Sequence, residues 1–593
     1  MTTQRKQSEG TTRREFLRDA GLLGVTLAGG GILAACGSPE VVSETPPAQP
    51  APEPSSTPSV AAPDVLTAEI AAKKWSFEVP PDPIPDSEIA NTVEADVVVV
   101  GSGISGLVTA VSAAEHGANV VLISASSKPV FRGGSFHAPW SKAMERLGVE
   151  RYDAGLFYRM ELSRNSYNVD QGKWWLFVTK APEALNWLID KMEAAGYRTS
   201  FEIGNVDPNY GPIHQPIGSH AWISTDKTPA FSGPGMSAEA VATVLEKAGK
   251  EAGVQFFYKT VAKQLVRENN NTGRVTAVVA QGEDGKYTKY VGHKGIVLAT
   301  GDFSANREMM AKYCPWPMSL LDDTGDQGYD TTFKLGGLFK GDGHRMALWV
   351  GAAWQKTVPN APLIQADGIC ALAANQPYTA HRGLVVNKKG YRYGNEDTTA
   401  PYAAIQIMRQ PDMVAYAIWS QSYAEKAAPW YSFGMEYNSD PIPPAAVIER
   451  WERAVEDGTA VKGDTVEEVI EKLGLPLAET KATVDRYNEL CRKGVDEDHL
   501  KDPSLMIPVE GAPYYGAPMK AVFQTVTGGL RTNIKMQVCD ENDEPIPGLF
   551  NVGIMVGDFF ANTYTYLVAG FNLGANCVTF GYLTGKALAE GTV

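Results

Sequence analysis

The run Asp96-Val97-Val98-Val99-Val100 passes directly into Gly101-Ser102-Gly103-Ile104-Ser105-Gly106, and this junction constrains the fold more than any other feature. An unbroken β-branched run without polar alternation predicts a strand buried on both faces, as in a parallel sheet. Leu107 to His116 continues as a helical stretch, Gly117 ends it, and Asn119-Val120-Val121-Leu122-Ile123 supplies the next strand. In such a turn the first glycine permits the bend and the second lets backbone approach a pyrophosphate. The third lets helix pack on strand, and the helix N-terminus holds the phosphate charge. The fold class is therefore α/β, with a Rossmann-like dinucleotide-binding domain. Ser124 stands where an acidic residue ordinarily binds the ribose hydroxyls, and no arginine beside it could read a phosphorylated ribose.

The chain before this junction reads as address and tether. Thr12-Arg13-Arg14-Glu15-Phe16-Leu17 is a twin-arginine consensus, followed by a Gly-rich apolar stretch, Ala20 to Ala35, too short for a bilayer span. Leu33-Ala34-Ala35-Cys36 resembles a lipobox with Cys36 as the lipidated residue. Residues 1–36 are thus expected to be a twin-arginine lipoprotein signal peptide. Residues 37–90 form a Pro-rich disordered linker and lead-in. The expected location is membrane-anchored, by the lipid, on the extracytoplasmic side. A formal net charge of −15 repels phosphate backbones and argues against a nucleic-acid partner. None of the six cysteines falls in a CxxC pair, so no zinc ribbon, metal site, thioredoxin-like pair or haem attachment is supported. His214, His220 and His344 stand isolated and read as structural.

Further small-residue turns follow at fixed places: Phe131-Arg132-Gly133-Gly134-Ser135, Ala299-Thr300-Gly301, Gly341-Asp342-Gly343, Val386 through Glu396, Thr525 to Gly529, Ile546-Pro547-Gly548-Leu549-Phe550 and Thr579-Phe580-Gly581. In this combination the chain, from about Glu94 to Gly591, resembles the flavoprotein family of fumarate reductase, succinate dehydrogenase, L-aspartate oxidase and 3-ketosteroid dehydrogenase. The resemblance implies an FAD-binding domain at 91–351 and 516–593, interrupted by an α+β capping domain at 352–515 that encloses substrate against the flavin. It places FAD contacts at Gly101, Ser102, Gly103, Ile104, Ser105, Gly106, Ser124, Gly133, Gly134, Ser135, Ala299, Thr300, Gly301, Asp342, Gly553, Asn572, Leu573 and Gly574. Asp302 and Ile554 depart from the family pattern, each weakening one contact. The position of the histidine that links flavin covalently in succinate dehydrogenase matches Ser135, which implies non-covalent FAD.

The dicarboxylate readers of the fumarate reductases are missing. The segment from Leu363 replaces one histidine, Thr525 the second, Val568 the carboxylate-binding arginine and Ala400 the proton-donating arginine. The replacements are neutral and largely aromatic: Tyr378, Tyr402, Tyr564 and Tyr566, with Phe559, Phe560 and Phe571 nearby. Such residues suit a flatter, less polar substrate. Tyr402 and Tyr566 are each either a proton donor or a packed aromatic. Arg382 is either a remnant of the family's proton relay or an exposed loop arginine. The expectation is an enzyme: an FAD-dependent oxidoreductase acting on CH–CH bonds, reducing an activated, non-fumarate C=C bond in a small molecule. Lacking a haem motif, it needs an external cytochrome or quinol-linked electron donor. A steroid-type dehydrogenase running the chemistry backwards is the alternative, and an electron-transfer flavin lipoprotein the reading from another class.

Overall fold

In the computed structural model the described residues are 75–593, except 150, 152, 202, 205–217, 225–235, 323–327, 332–334, 368–382, 399, 427–430, 433–442 and 566–569. The chain divides into two units, Met1–Lys73 and Lys74–Val593. Every described element lies in the second, so the signal, the tether and Cys36 fall outside the described residues. The lead-in is ordered from Trp75: Phe77 is buried, and its carbonyl accepts the Trp349 indole N–H at 2.8 Å.

The larger sheet has eight strands. Five run parallel in the order Pro545–Asn551, Tyr287–Leu298, Ile89–Val100, Val120–Ile123, Gln255–Phe257. Gln537–Cys539 pairs antiparallel at one edge, and the hairpin Val261–Arg267/Val275–Gln281 joins the first half of Tyr287–Leu298. Val97 to Val100 hydrogen-bond on both sides, to Gly295–Leu298 and Val120–Ile123, and all four are buried. That central position explains the unbroken valine run. The helix Ile104–Glu115 follows, packed by Met236–Glu251 and by Phe580–Glu590. A Cβ on Gly585 would lie 2.4 Å from the Thr109 carbonyl oxygen, so the two helices cross at backbone contact.

The second sheet has five strands: Pro362–Asp367, Tyr514–Val526, Val414–Ser420 and Leu384–Asn387 in order, with Val461–Gly463 also on Tyr514–Val526. The last long strand belongs wholly to this sheet, so the chain returns to the first sheet after Val526 rather than at 516. Between Thr465 and Gly494 the chain forms two helices, Val466–Lys472 and Leu477–Lys493. Gly474, at φ 69°, and Pro476 account for the break. The longest described helix, Gln171–Ala194, is unbroken.

One buried charge network ties the second sheet's connections together. The Arg392 guanidinium donates to Glu396 at 2.8 and 2.7 Å and to Asp496 at 2.9 and 2.7 Å, and Lys501 Nζ lies 3.4 Å from Glu396. Burial opposes ionisation of both carboxyls. The Lys501 and Arg392 charges outweigh it at Glu396, and the Arg392 hydrogen bonds outweigh it at Asp496, so both are held below their ordinary pKa. Arg392→Met leaves these carboxylates without their shared cation, and we expect a loss of about 3–5 kcal/mol in denaturant unfolding at neutral pH. Depressed carboxylates stabilise fully above roughly pH 4 and lose that contribution as pH falls through their folded values. The gap between variant and parent should therefore close in acid.

Candidate active site

A cleft runs along the C-terminal ends of the central parallel strands, where ligands bind in open α/β sheets. Its floor is the turn after Val100. Gly101 adopts φ 113°, and a Cβ there would sit 2.3 Å from the Ala299 carbonyl oxygen. A Cβ on Gly106 would lie 2.0 Å from the Gly101 carbonyl oxygen, so the helix rests on the turn itself. Gly103 differs: a Cβ there meets no protein atom within 4 Å and points into space a phosphate can fill. The three glycines thus divide the work as the motif requires.

At the end of the second strand the expected ribose-binding acid is replaced by three hydroxyls. Ser124 Oγ lies 2.8 Å from both Ser102 Oγ and Ser126 Oγ, which are 3.1 Å from each other. Ser126 also donates to the Lys128 carbonyl at 2.6 Å. All three line the cleft, giving it a neutral rotating set of donors and acceptors where a carboxylate is usual. Ser126 was not legible as part of this group, because only the fold brings it beside Ser102.

Most of the residues singled out from sequence meet on this cleft: Gly101 to Ser105, Ser124, Gly133 to Ser135, Ala299 to Gly301, Asp342, Asn572 and Leu573. Asp342 opens the helix Asp342–Trp349, accepts from Tyr329 Oη at 3.2 Å and pairs with Arg345. Leu573 begins a π-helical turn, Leu573–Thr579, a wide turn often found at functional sites. Gly106, Gly553 and Gly574 do not reach the wall. Cβ atoms there would strike the Gly101 carbonyl, Ser105 Oγ at 2.5 Å and the His137 carbonyl oxygen at 1.8 Å, so these glycines permit backbone approach behind the cleft.

Asp302, the departure after Ala-Thr-Gly, is fully buried and well supplied with donors. It accepts from Ser304 N at 3.0 Å, Ser304 Oγ at 2.7 Å and the Thr525 hydroxyl, and Arg132 Nη1 lies 3.6 Å away. Arg132 also donates to the Gln524 carbonyl, and Arg132, Gln524 and Thr525 line the cleft. The hydroxyl of Thr525 is therefore committed to Asp302. An aspartate in a small-residue turn is the sequence signal that could have flagged Arg132 as its partner.

The aromatic set does not all face the site. Phe559, Phe560 and Phe571 are buried in the main core around Trp174, with Phe559 stacked on the indole at 4.4 Å between centroids. Tyr564 lines the cleft, and its hydroxyl accepts the Asn572 N–H at 2.9 Å. Tyr402, on the helix Ala400–Met408, is half-buried and not on the cleft wall itself. Burial raises its pKa; the Arg164 charge works against that rise, and the Glu161 charge adds to it. Arg382, Tyr566, Tyr378 and Val568 lie outside the described residues. Glu161, at the far end of the helix Ala154–Arg164, was missed from sequence, where one carboxylate on a surface-like helix carries no signal.

His220 is buried with Nε2 2.7 Å from Ser141 Oγ, and His344 Nε2 lies 3.2 Å from the Gly528 carbonyl; burial lowers both to about 4, consistent with structural roles. His214 lies outside the described residues. Among the described residues no group of three or more His, Cys, Asp or Glu side chains could hold a metal, and no helix is long and apolar enough to cross a membrane.

The fold and cleft define a dinucleotide-binding α/β protein whose Gly103 leaves room for a pyrophosphate. The chain belongs to the FAD binding domain family, matched over residues 96–565, and FAD is its cofactor. It is similar to a urocanate reductase of Eggerthella lenta, at 26% identity over 80% of this chain and 72% of that protein. It is also similar to a probable fumarate reductase of Shewanella frigidimarina, at 26% identity over 87% of this chain and 79% of that one. In structure it resembles a 3-ketosteroid-Δ4-(5α)-dehydrogenase of Rhodococcus jostii, with a TM-score of 0.64 and 21% identity over 86% of this chain and 99% of that one.

The glycines separate fold from cofactor binding. Gly103→Ala should change apoprotein stability by no more than about 1 kcal/mol, the scale of a helix N-cap substitution. It should weaken FAD binding about tenfold or more, roughly 1.4 kcal/mol, read by flavin fluorescence titration. Gly106→Ala should lower the melting temperature of the apoprotein itself.

Proposed function

We propose that this protein is a reductase of an activated carbon–carbon double bond, an α,β-unsaturated acid or ketone other than fumarate. The observation that carries the reading is an FAD cleft whose wall residue Leu363 lies on the strand Pro362–Asp367, against which the helix of Tyr402, Ala400–Met408, packs. Burial holds the Tyr402 hydroxyl above its ordinary pKa, so at neutral pH it is an acid able to give a proton to carbon. The segment from Leu363, matched to one dicarboxylate-reading histidine, gives the wall the apolar Leu363, and Thr525, matched to the other, has its hydroxyl spent on Asp302. Neither can grip a carboxylate pair.

FAD, when reduced, supplies the hydride for the β-carbon. The chain's contribution is to hold the substrate between Leu363, Thr525 and Tyr564 and to protonate the α-carbon from Tyr402, with Arg382 assisting and Tyr566 as the competing donor. Asn572 is oriented by Tyr564 and fixes the turn at the cleft wall. Holding both partners in reacting geometry is itself a large part of such catalysis. FAD is held non-covalently, since Ser135 lines the cleft where a linking histidine would stand. The urocanate reductase and the probable fumarate reductase support reduction as the direction. We further propose export by the twin-arginine signal, a lipid anchor at Cys36, and electrons from a cytochrome or quinol-linked protein on the same side of the membrane.

Reduced-viologen assays of the purified holoenzyme against urocanate, hydroxycinnamates, other enoates and steroid enones test the reading. Viologen oxidation by at least one enoate or enone is expected. Dye-linked ketosteroid oxidation with no enoate or enone reduction would overturn it in favour of a dehydrogenase. Tyr402→Phe should lower kcat by about 10²-fold or more while FAD content is unchanged; an unaltered kcat would remove Tyr402 from the donor role.

A further inference from the structure

The strand Tyr514–Val526 is irregular where it forms the cleft wall. Against Pro362–Asp367 it pairs Phe523 with Ile364 but Thr525 with Leu363, so Gln524 is an extra residue, a β-bulge. In a regular strand neighbouring side chains face opposite ways. Here Phe523 packs into the core that holds Trp419 and Tyr515, while Gln524 and Thr525, in succession, both line the cleft. Bulges recur beside active sites because they re-aim a side chain. The Thr525 hydroxyl is committed to Asp302. The Gln524 carboxamide is not committed: its Oε1 is buried with no hydrogen-bond partner among the described residues, and the residue is 6% exposed. A polar group left so costs stability, and on the wall of a cleft it is matched to a ligand rather than to the protein.

A guanidinium stands at this bulge. Arg132 donates from Nη2 to the Gln524 carbonyl, and its Nη1 lies 3.6 Å from the fully buried Asp302 carboxylate. Arg132 therefore fixes the backbone of the bulge and also lines the cleft beside it. With Asp302 so close, the cluster offers hydrogen-bond donors without net charge. Two further wall residues converge on the same end of the cleft. Leu363 pairs with Thr525, and the Tyr564 N–H donates to the Pro362 carbonyl at 3.1 Å, which sets an apolar and an aromatic side chain beside the polar pair.

We propose that Gln524, with Arg132 beside it, is the subsite that holds the oxygen conjugated to the reducible double bond. It takes compounds with one such group, an enone, an ester or a monocarboxylate, in preference to a dicarboxylate. The inference deepens the reductase reading above and rests on it. When the β-carbon receives a hydride, the π pair of the double bond moves onto the α-carbon and the conjugated oxygen. That pair becomes the new C–H bond when the α-carbon takes its proton. Donors already aimed at the oxygen stabilise the charge it carries in between without having to reorganise. A second carboxylate gains little here, because the Arg132 charge is already balanced by Asp302.

Binding to the oxidised, FAD-loaded enzyme, read as perturbation of flavin absorbance, tests this without turnover. Methyl cinnamate, trans-cinnamate and benzylideneacetone share a styrene body, which β-methylstyrene carries without the oxygen. The parent should bind the three oxygen-bearing probes about tenfold or more tightly than β-methylstyrene or fumarate, the scale of one good hydrogen bond. Gln524→Leu should abolish that advantage and leave β-methylstyrene binding unchanged. It should not lower the melting temperature, because it removes a buried polar group that has no partner in the protein. Absence of any flavin perturbation, equal binding of β-methylstyrene in the parent, or fumarate binding as tight as cinnamate overturns the subsite. So does undiminished binding of the three probes in Gln524→Leu, or a loss of all probes with a lowered melting temperature, which marks a packing role. The expected binding pattern without viologen oxidation by any enoate or enone would overturn the reductase reading and leave the oxygen-binding subsite standing. Viologen oxidation by such compounds, with binding unchanged in Gln524→Leu, would do the reverse.

Discussion

The structure depends on backbone meeting backbone without side chains between. At Gly101 the chain turns against the Ala299 carbonyl, at Gly106 the first helix sits on the turn, and at Gly574 the C-terminal π-helical turn meets the His137 carbonyl. Each approach is closer than any Cβ allows. Together they draw the ends of Ile89–Val100 and Tyr287–Leu298, the Gly133–Ser135 turn and the C-terminal segment onto one cleft. A cofactor as long as a dinucleotide requires walls from all of these, which are far apart in sequence.

Around that frame, buried charge is handled in two ways. Arg392, Glu396, Asp496 and Lys501 neutralise one another in the second sheet's connections, and Asp302 is satisfied by Ser304, Thr525 and Arg132. Lys173 is likewise buried, donating to the Gly557 carbonyl at 2.9 Å with Asp170 3.4 Å away. Such sets fix connections in one arrangement. Glu161 stands apart from them: among the described residues it has one hydroxyl donor and no bonded cation. Burial raises the Glu161 pKa, with the Thr565 hydrogen bond and the Arg164 charge opposing that rise.

Much of the glycine-lined floor of the cleft was legible because its demands are local. A glycine needed for a tight turn, or for close approach to phosphate, is required by the backbone of its own segment, and so Gly101, Gly103 and the Ala299-Thr300-Gly301 turn were found from spacing and context. The substrate side was less legible. Phe559, Phe560 and Phe571 read as a binding surface from their composition, but they pack around Trp174 in the core; apolar aromatics serve both purposes and sequence proximity to a site does not separate them. Thr525 read as a lost histidine, yet its role is set by Asp302, more than two hundred residues away (|i−j| 223). The second part of the FAD-binding domain was expected from 516, a position inside a strand that the second sheet keeps until Val526, because pairing partners rather than strand pattern decide sheet membership.

The sequence by itself determined that the chain builds a parallel α/β dinucleotide site with a glycine-lined floor, because β-branched continuity and glycine placement act through the local backbone. Only the tertiary structure decided that three serines share the place of one acid, that Asp302 claims Thr525 and Arg132, and that Glu161 lies buried against Thr565. Those are matters of distance and desolvation between segments remote in sequence, and neither quantity exists until the chain has folded.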